Sequence, residues 1–341
     1  MRWTVPILAS LFLAATVSTG PAADEGHVAR ILDRLNDANK WRSHVMIVAH
    51  RAGWKENGRT VRAENSLAAI ENAAATGVEM VELDVRRSAD GTLVVMHDPT
   101  LERTTTCKGE VDRHTLAELR RCRLVIEDTR EATDEAVPTL TEALSAAKGR
   151  ILINIDNKLG PAALPEIAAQ ARGAGMAGQI LVKENLWNAA RIAETRDVLA
   201  KVGVDVTFMP ILADDAVRDA GFMATATSAF AAPAAELINW HRDASLPMTV
   251  RGGPLFSARA RAAAILGNWH MWVNTYTITD RPVGMVAGGR GDELAVRDSR
   301  PDEAWGFWAD RGATIIQTDE PKAAIAWLAA NGYRIPYDLT N

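Results

Sequence analysis

The 341-residue chain carries 43 acidic against 38 basic side chains, a net charge of −5, and is 48% hydrophobic. That balance argues against a nucleic-acid partner, which wants a basic face, and is ordinary for a soluble globular protein. The length suffices for one large α/β barrel or for two ordinary domains.

The N-terminal segment differs in kind from the rest. Arg2 precedes an apolar stretch from Val5 to Val17, and small residues then lead into Asp24-Glu25. This is the pattern of a secretory signal over residues 1–23, cut around Gly20 to Ala23. The alternative is an uncleaved anchor, but the apolar stretch is short for a membrane span. The mature protein is therefore expected to be exported, periplasmic or secreted, with no stable membrane insertion. Cys107 and Cys122 fit an oxidising compartment and are candidates for a disulfide. Their spacing, without further Cys or His partners, does not suit zinc.

Residues 24–44 are read as a lead-in helix, and 45–341 as a single domain. Eight apolar runs rich in Val and Ile predict strands at 45–50, 80–86, 151–158, 179–184, 204–212, 235–241, 271–277 and 313–320. Ala-rich stretches of helical period lie between them, and two, "SLAAIENAAATG" and "LPEIAAQARGAG", end in glycine. Eight strand-plus-helix units are the count of a (β/α)8 TIM barrel. An open doubly wound sheet is the rival, but no glycine-rich dinucleotide loop follows the first strand. Two segments break the rhythm: an added hairpin and loop after strand two, turning on "ADG", and a long Gly-rich, charged loop after strand seven. In a barrel both belong to the C-terminal rim, where loops carry function.

Polar residues gather where the strands end. His50-Arg51 follows the first run, and Glu82 and Asp84 lie on the second. Asn154, Asp156 and Lys158 lie on the third, Lys183-Glu184 ends the fourth, and Trp240-His241, Asn274 and Asp319 close the last three. Residues i and i+2 share a strand face, so Glu82 and Asp84 point the same way, as do Asp156 and Lys158. Convergent carboxylates repel unless a cation sits among them, and oxygen-only ligands suit one divalent Mg2+ or Ca2+ over zinc. The alternative is a structural network in which Arg51, Arg86 or Lys158 neutralises them. His50 and His97 flank the same carboxylates and are the candidate acid and base, because imidazole titrates near neutrality.

These residues resemble the glycerophosphodiester phosphodiesterase family. The resemblance rests on "HRA", "ENS", "ELD", "DGTLVVMHD" and "LERTTTCKG" in order between His50 and Gly109, with "IDNK", "VPTLTEAL" and "IIQTDEP" beyond. It is dense from 45 to 158 and thinner from 180 to 312. It implies a barrel hydrolase that cleaves a glycerol-linked phosphodiester to sn-glycerol 3-phosphate and an alcohol. Carried over by position, Glu82, Asp84 and Asp156 would hold the ion, and His50 and His97 would serve as base and acid. Arg51, Glu64 and Lys158 would line the phosphate or glycerol; Asn274, at the end of strand seven, is a further candidate substrate contact from its position alone. Trp187, Trp240 and Trp272 are weaker candidates for packing a headgroup.

Three departures bear on substrate choice. Ala52 stands where the family has glycine, Asp156 is one methylene shorter than the family's Glu, and "WKENGRTVRA" is a longer, charged insertion. The rival functions are a lysophospholipase D-like enzyme acting on lipid diesters and a non-catalytic exported phosphodiester-binding protein.

Overall fold

A computed structural model describes residues 25–243, 245–278 and 286–339. The expected signal segment, 1–23, and part of the loop after strand seven lie outside these described residues. Helix α1, Glu25–Asn36, begins the described chain.

Eight parallel strands follow: β1 (Met46–Ala49), β2 (Met80–Arg87), β3 (Leu152–Asn157), β4 (Ile180–Asn185), β5 (Thr207–Ala213), β6 (Ala234–Ile238), β7 (His270–Asn274) and β8 (Ala313–Thr318). They pair in sequence order, and β1 pairs with both β8 and β2, which closes the barrel. Each of the eight predicted runs overlaps one of these strands.

Period-2 alternation explains why these segments read as almost unbroken apolar runs. On β2, Val81, Leu83 and Val85 face outward beneath the helices. Met80 joins Met46, Val48, Leu152, Leu181, Met209, Ala234, Trp272 and Ile315 in the lowest interior layer. Helix α1 plugs this end by inserting Ile31 and Leu35, both fully buried. Each contributes about 1.5–3 kcal/mol of apolar burial. Trp272 thus belongs to the floor of the barrel, far below any headgroup. No helix among the described residues is long and apolar enough to cross a membrane.

The excursion after β2 is built as expected. Leu93–Val95 pairs antiparallel with the end of β2, Val85 opposite Val95, and a second hairpin, Arg123–Ile126 with Glu131–Ala136, follows. A disulfide joins Cys107 to Cys122 and closes this excursion.

The charged insertion after β1 is a third hairpin, Lys55–Glu56 against Arg59–Thr60, which the sequence reading did not resolve. Its signal was Asn57-Gly58: both residues have positive φ, 53° and 77°, as a tight two-residue hairpin turn requires. Glu320, just past β8, accepts the backbone N–H groups of Asn57 (2.8 Å) and Gly58 (2.6 Å), docking the hairpin on the barrel rim.

Candidate active site

One interior layer above the apolar floor, the side chains turn polar. Register sets Glu82 beside Asn154 and Asp84 beside Asp156, so β2 and β3 present four oxygen-bearing side chains at the C-terminal mouth. One carboxylate oxygen from each of Glu82, Asp84 and Asp156 lies within 4.8 Å of the others. Glu82 and Asp84 are 1% exposed, whereas a third of the Asp156 side chain is open.

The charge balance among these acids is uneven. Lys158 Nζ lies 3.0 Å from Asp84 Oδ1 and 2.7 Å from Asp156 Oδ2. Burial opposes ionisation of Asp84, but Lys158 first, then His97 and Arg51, hold its carboxyl well below the usual range. Glu82 goes the other way: burial, reinforced by Asp84 and Asp156, pushes its carboxyl well above the ordinary value. A buried acid disfavoured as an anion by two neighbouring carboxylates is the setting that a bound cation corrects. The three acids therefore fit a hard divalent ion, even with Lys158 supplying part of the neutralising charge.

The histidines stand on either side. His50 sits in the tight turn after β1, where Arg51 (φ 47°) and Ala52 (φ 68°) are both left-handed. This is the conformation that favours glycine, and Ala52 adopts it with its Cβ fully buried. The turn aims the Arg51 N–H at Glu82 Oε2 (3.0 Å). His50 Nδ1 is 2.7 Å from Asp319 Oδ1. With Asp319 ionised, Nδ1 carries the proton and Nε2, 4.0 Å from Glu82 Oε2, faces the cavity. Burial pulls the imidazole down to about 4, with Asp319 opposing. Tyr276 stacks on the ring at 3.7 Å between centroids.

His97 lies just past the Leu93–Val95 strand, and its Nδ1 is 2.7 Å from Asp98 Oδ1. Arg103 grips Asp98 with two hydrogen bonds, of 2.8 and 2.9 Å, and reaches on to Glu64 and Glu127. Arg86 donates Nε to the His97 carbonyl (2.8 Å) and so braces the histidine.

A cavity of about 270 Å3 joins His50, Arg51, Glu82, His97, Asp156 and Lys158. Its opposite wall is apolar, formed by Ile211, Ile238, Trp240, Ile278 and Val286. Three predicted residues do not line it: Asp84, buried beside Glu82, and Glu64 and Asn274, which stand back. Glu64 is buried behind Arg51, accepting from Arg51 Nη1 (2.8 Å) and from Arg103. Asn274 donates to Glu236 Oε1 (2.7 Å) and accepts from Trp272, inside the barrel. Trp187 lies on the outer rim, 48% exposed, with the Arg191 guanidinium against its ring.

Several residues of the site were quoted or passed over without a role. Asn65 donates to Asp84 Oδ2 (2.8 Å) and orients it. Lys183, which lines the cavity, is ion-paired with Glu236 at 3.0 Å. Burial pulls its ammonium down, but Glu236, with Asp156 and Glu82, outweighs that and holds it above its ordinary value. Asp319, in "TDEP", also accepts from Trp54 Nε1 (2.8 Å), Lys55 Nζ (3.3 Å) and the Thr277 N–H (3.1 Å). The insertion thus reaches the acid that holds His50.

Comparison with known proteins agrees with this geometry. The glycerophosphoryl diester phosphodiesterase family model matches residues 50–195, the span that contains both histidines and all three acids. Over that span the chain is similar to members of the glycerophosphodiester phosphodiesterase family. A model of a domain of unknown function matches residues 208–328. A glycerophosphodiester phosphodiesterase of Caldanaerobacter subterraneus is 35% identical over 124 residues, 36% of this chain and 49% of that protein. Glycerophosphodiester phosphodiesterase 1 of Rattus norvegicus is 38% identical over 108 residues, 31% of each chain. The chain thus spans half or less of the length of these curated relatives. Among solved structures, a glycerophosphoryl diester phosphodiesterase from Parabacteroides distasonis superposes with a TM-score of 0.63 at 21% identity, covering 90% of this chain and 93% of that one. An Oleispira antarctica phosphodiesterase in complex with the product sn-glycerol-3-phosphate gives 0.55 at 17% identity, covering 83% and 96%. At such identities these structures speak for the barrel fold.

Proposed function

We propose that this protein is a divalent-metal-dependent phosphodiesterase that hydrolyses glycerophosphodiesters to sn-glycerol 3-phosphate and an alcohol. The observation that carries the reading is a pair of histidines, each with a carboxylate on Nδ1, facing one small cavity lined by Arg51, Lys158, Glu82 and Asp156, the last two converging with the buried Asp84. The family match over 50–195 and the product named for the Oleispira antarctica structure support the same substrate class.

Glu82, Asp84 and Asp156 would hold Mg2+ or Ca2+, which when bound supplies a positive centre for a phosphoryl oxygen. Arg51 and Lys158 add fixed positive charge for the remaining phosphate oxygens. Of the two imidazoles, one removes a proton from the attacking hydroxyl or water and the other returns one to the leaving alcohol. Asp319 and Asp98 keep the proton on Nδ1 of each ring and leave each Nε2 for this exchange. Residues 1–23 as an export signal and the Cys107–Cys122 bridge support action outside the cytoplasm.

A lysophospholipase D-like action on lipids is the second reading. The favouring observation is apolar surface on rim loops past β4 and β6, where Trp187, Leu246 and Val250 are about half or more exposed. The small cavity favours water-soluble headgroups instead. Release of the headgroup alcohol, choline or ethanolamine, by purified mature protein from glycerophosphocholine, glycerophosphoethanolamine and a lysophospholipid in parallel separates the two. Turnover of the soluble diesters is the expected result. Cleavage of the lipid alone would transfer the assignment to the second reading, and binding without cleavage of any would point to a carrier.

A further inference from the structure

Asn154 is fully buried in the barrel, and neither Oδ1 nor Nδ2 of its carboxamide has a hydrogen-bond partner. Leaving a polar group buried and unpaired costs about 1–3 kcal/mol, so a carboxamide with both ends idle needs a reason. On one side its strand neighbour is Leu181, which offers nothing polar, and on the other it is Glu82. Two residues further along the same strand face is Asp156, opposite Asp84.

The four side chains therefore mark the corners of a patch about 6.6 Å along the strands and about 4.8 Å across. Three corners carry the carboxylates already assigned to the cation, and the fourth carries an amide oxygen. Asparagine has the same reach as aspartate, so an ion placed centrally enough for Asp84 and Asp156 is equally open to Asn154. Amide carbonyl oxygens are ordinary ligands of Ca2+ and acceptable to Mg2+. A further oxygen also offsets the shortness of Asp156.

We propose that the Asn154 side-chain carbonyl is a fourth protein ligand of the divalent ion. The inference rests on the metal reading given above, and its test keeps the two apart. Ca2+ and Mg2+ are titrated calorimetrically into chelator-stripped wild type, Asn154→Leu and Asn154→Asp, with the melting temperature of each followed with and without ion. Wild type is expected to bind. Asn154→Leu should bind roughly 10–100-fold more weakly, the usual cost of disturbing a metal's immediate surroundings. Without ion it should melt no lower than wild type, because the idle carboxamide is gone, and ion should raise its melting temperature less. Asn154→Asp, which keeps an oxygen at that corner, should bind at least as well as wild type and shows that the position tolerates change. Equal affinity in wild type and Asn154→Leu overturns this inference alone. A wild type that takes up neither ion overturns the metal reading and this inference with it.

Discussion

His50 and His97 share a chemistry but are held differently, and the difference governs what their removal should do. His50 is enclosed, fixed by Asp319 beneath and Tyr276 across its face, while His97 is a quarter exposed and braced by Asp98. Replacing either by alanine should lower kcat about 10²–10⁴-fold with the circular dichroism spectrum unchanged. Wild-type turnover in either variant would remove that residue from the reaction. Asp319→Asn should act through His50: kcat falls by orders of magnitude while KM stays near wild type, since Asp319 does not line the cavity that takes the substrate. A rise in KM alone would assign Asp319 to binding. The motif residues were legible because their order and spacing are fixed by the first three barrel strands and the excursion between β2 and β3. Asn65, Lys183 and Glu236 were not, since their roles depend on neighbours from other strands that no local pattern announces.

Among the elements, the strands were the most legible part of the chain. Burial on both faces leaves apolar runs that bound themselves, and all eight barrel strands fall within a few residues of where the sequence put them. The 55–60 hairpin was not read, because its two-residue strands are too short to show alternation and only Asn57-Gly58 betrayed the turn. It matters to the site, since it delivers Lys55 to Asp319. Gly58→Ala should cost about 1 kcal/mol through its left-handed backbone alone, because an added Cβ would meet only Val296 at 3.9 Å. A melting temperature equal to wild type would show that the turn relaxes. The excursion after β2 is stapled just before its second hairpin, where Cys122 bonds to Cys107. Opening the bridge across a sequence separation of 15 with Cys107→Ser should cost about 3 kcal/mol. Retention of full stability in reducing agent would contradict this.

At the scale of the molecule, the barrel stacks an apolar floor, a polar layer and a charged mouth, and buried ionisable groups make its stability depend on pH. Asp292 lies in the shell next to the mouth, accepting from the Asp319 N–H (2.8 Å) and from Trp305 Nε1 (2.9 Å). Burial, with Asp319 adding repulsion, pushes its carboxyl from 3.8 up to about 7. The folded protein thus keeps a proton that the unfolded chain has already lost. The resulting stability is fully present below pH 4, declines as pH rises towards 7 and is gone above it. Asp292→Asn should flatten that part of the profile of melting temperature against pH, and an unchanged slope would place the titration elsewhere. The account as a whole stands on the claim that the acids at the ends of β2 and β3 hold an ion beside which two histidines cleave a phosphodiester. The most direct test is glycerol 3-phosphate release from glycerophosphocholine by wild type and Glu82→Gln, with EDTA and then with Mg2+ or Ca2+ restored. The account predicts that EDTA abolishes release, that an added ion restores it in wild type, and that Glu82→Gln recovers little at any ion concentration. Release that persists undiminished in EDTA, or in Glu82→Gln, would contradict it.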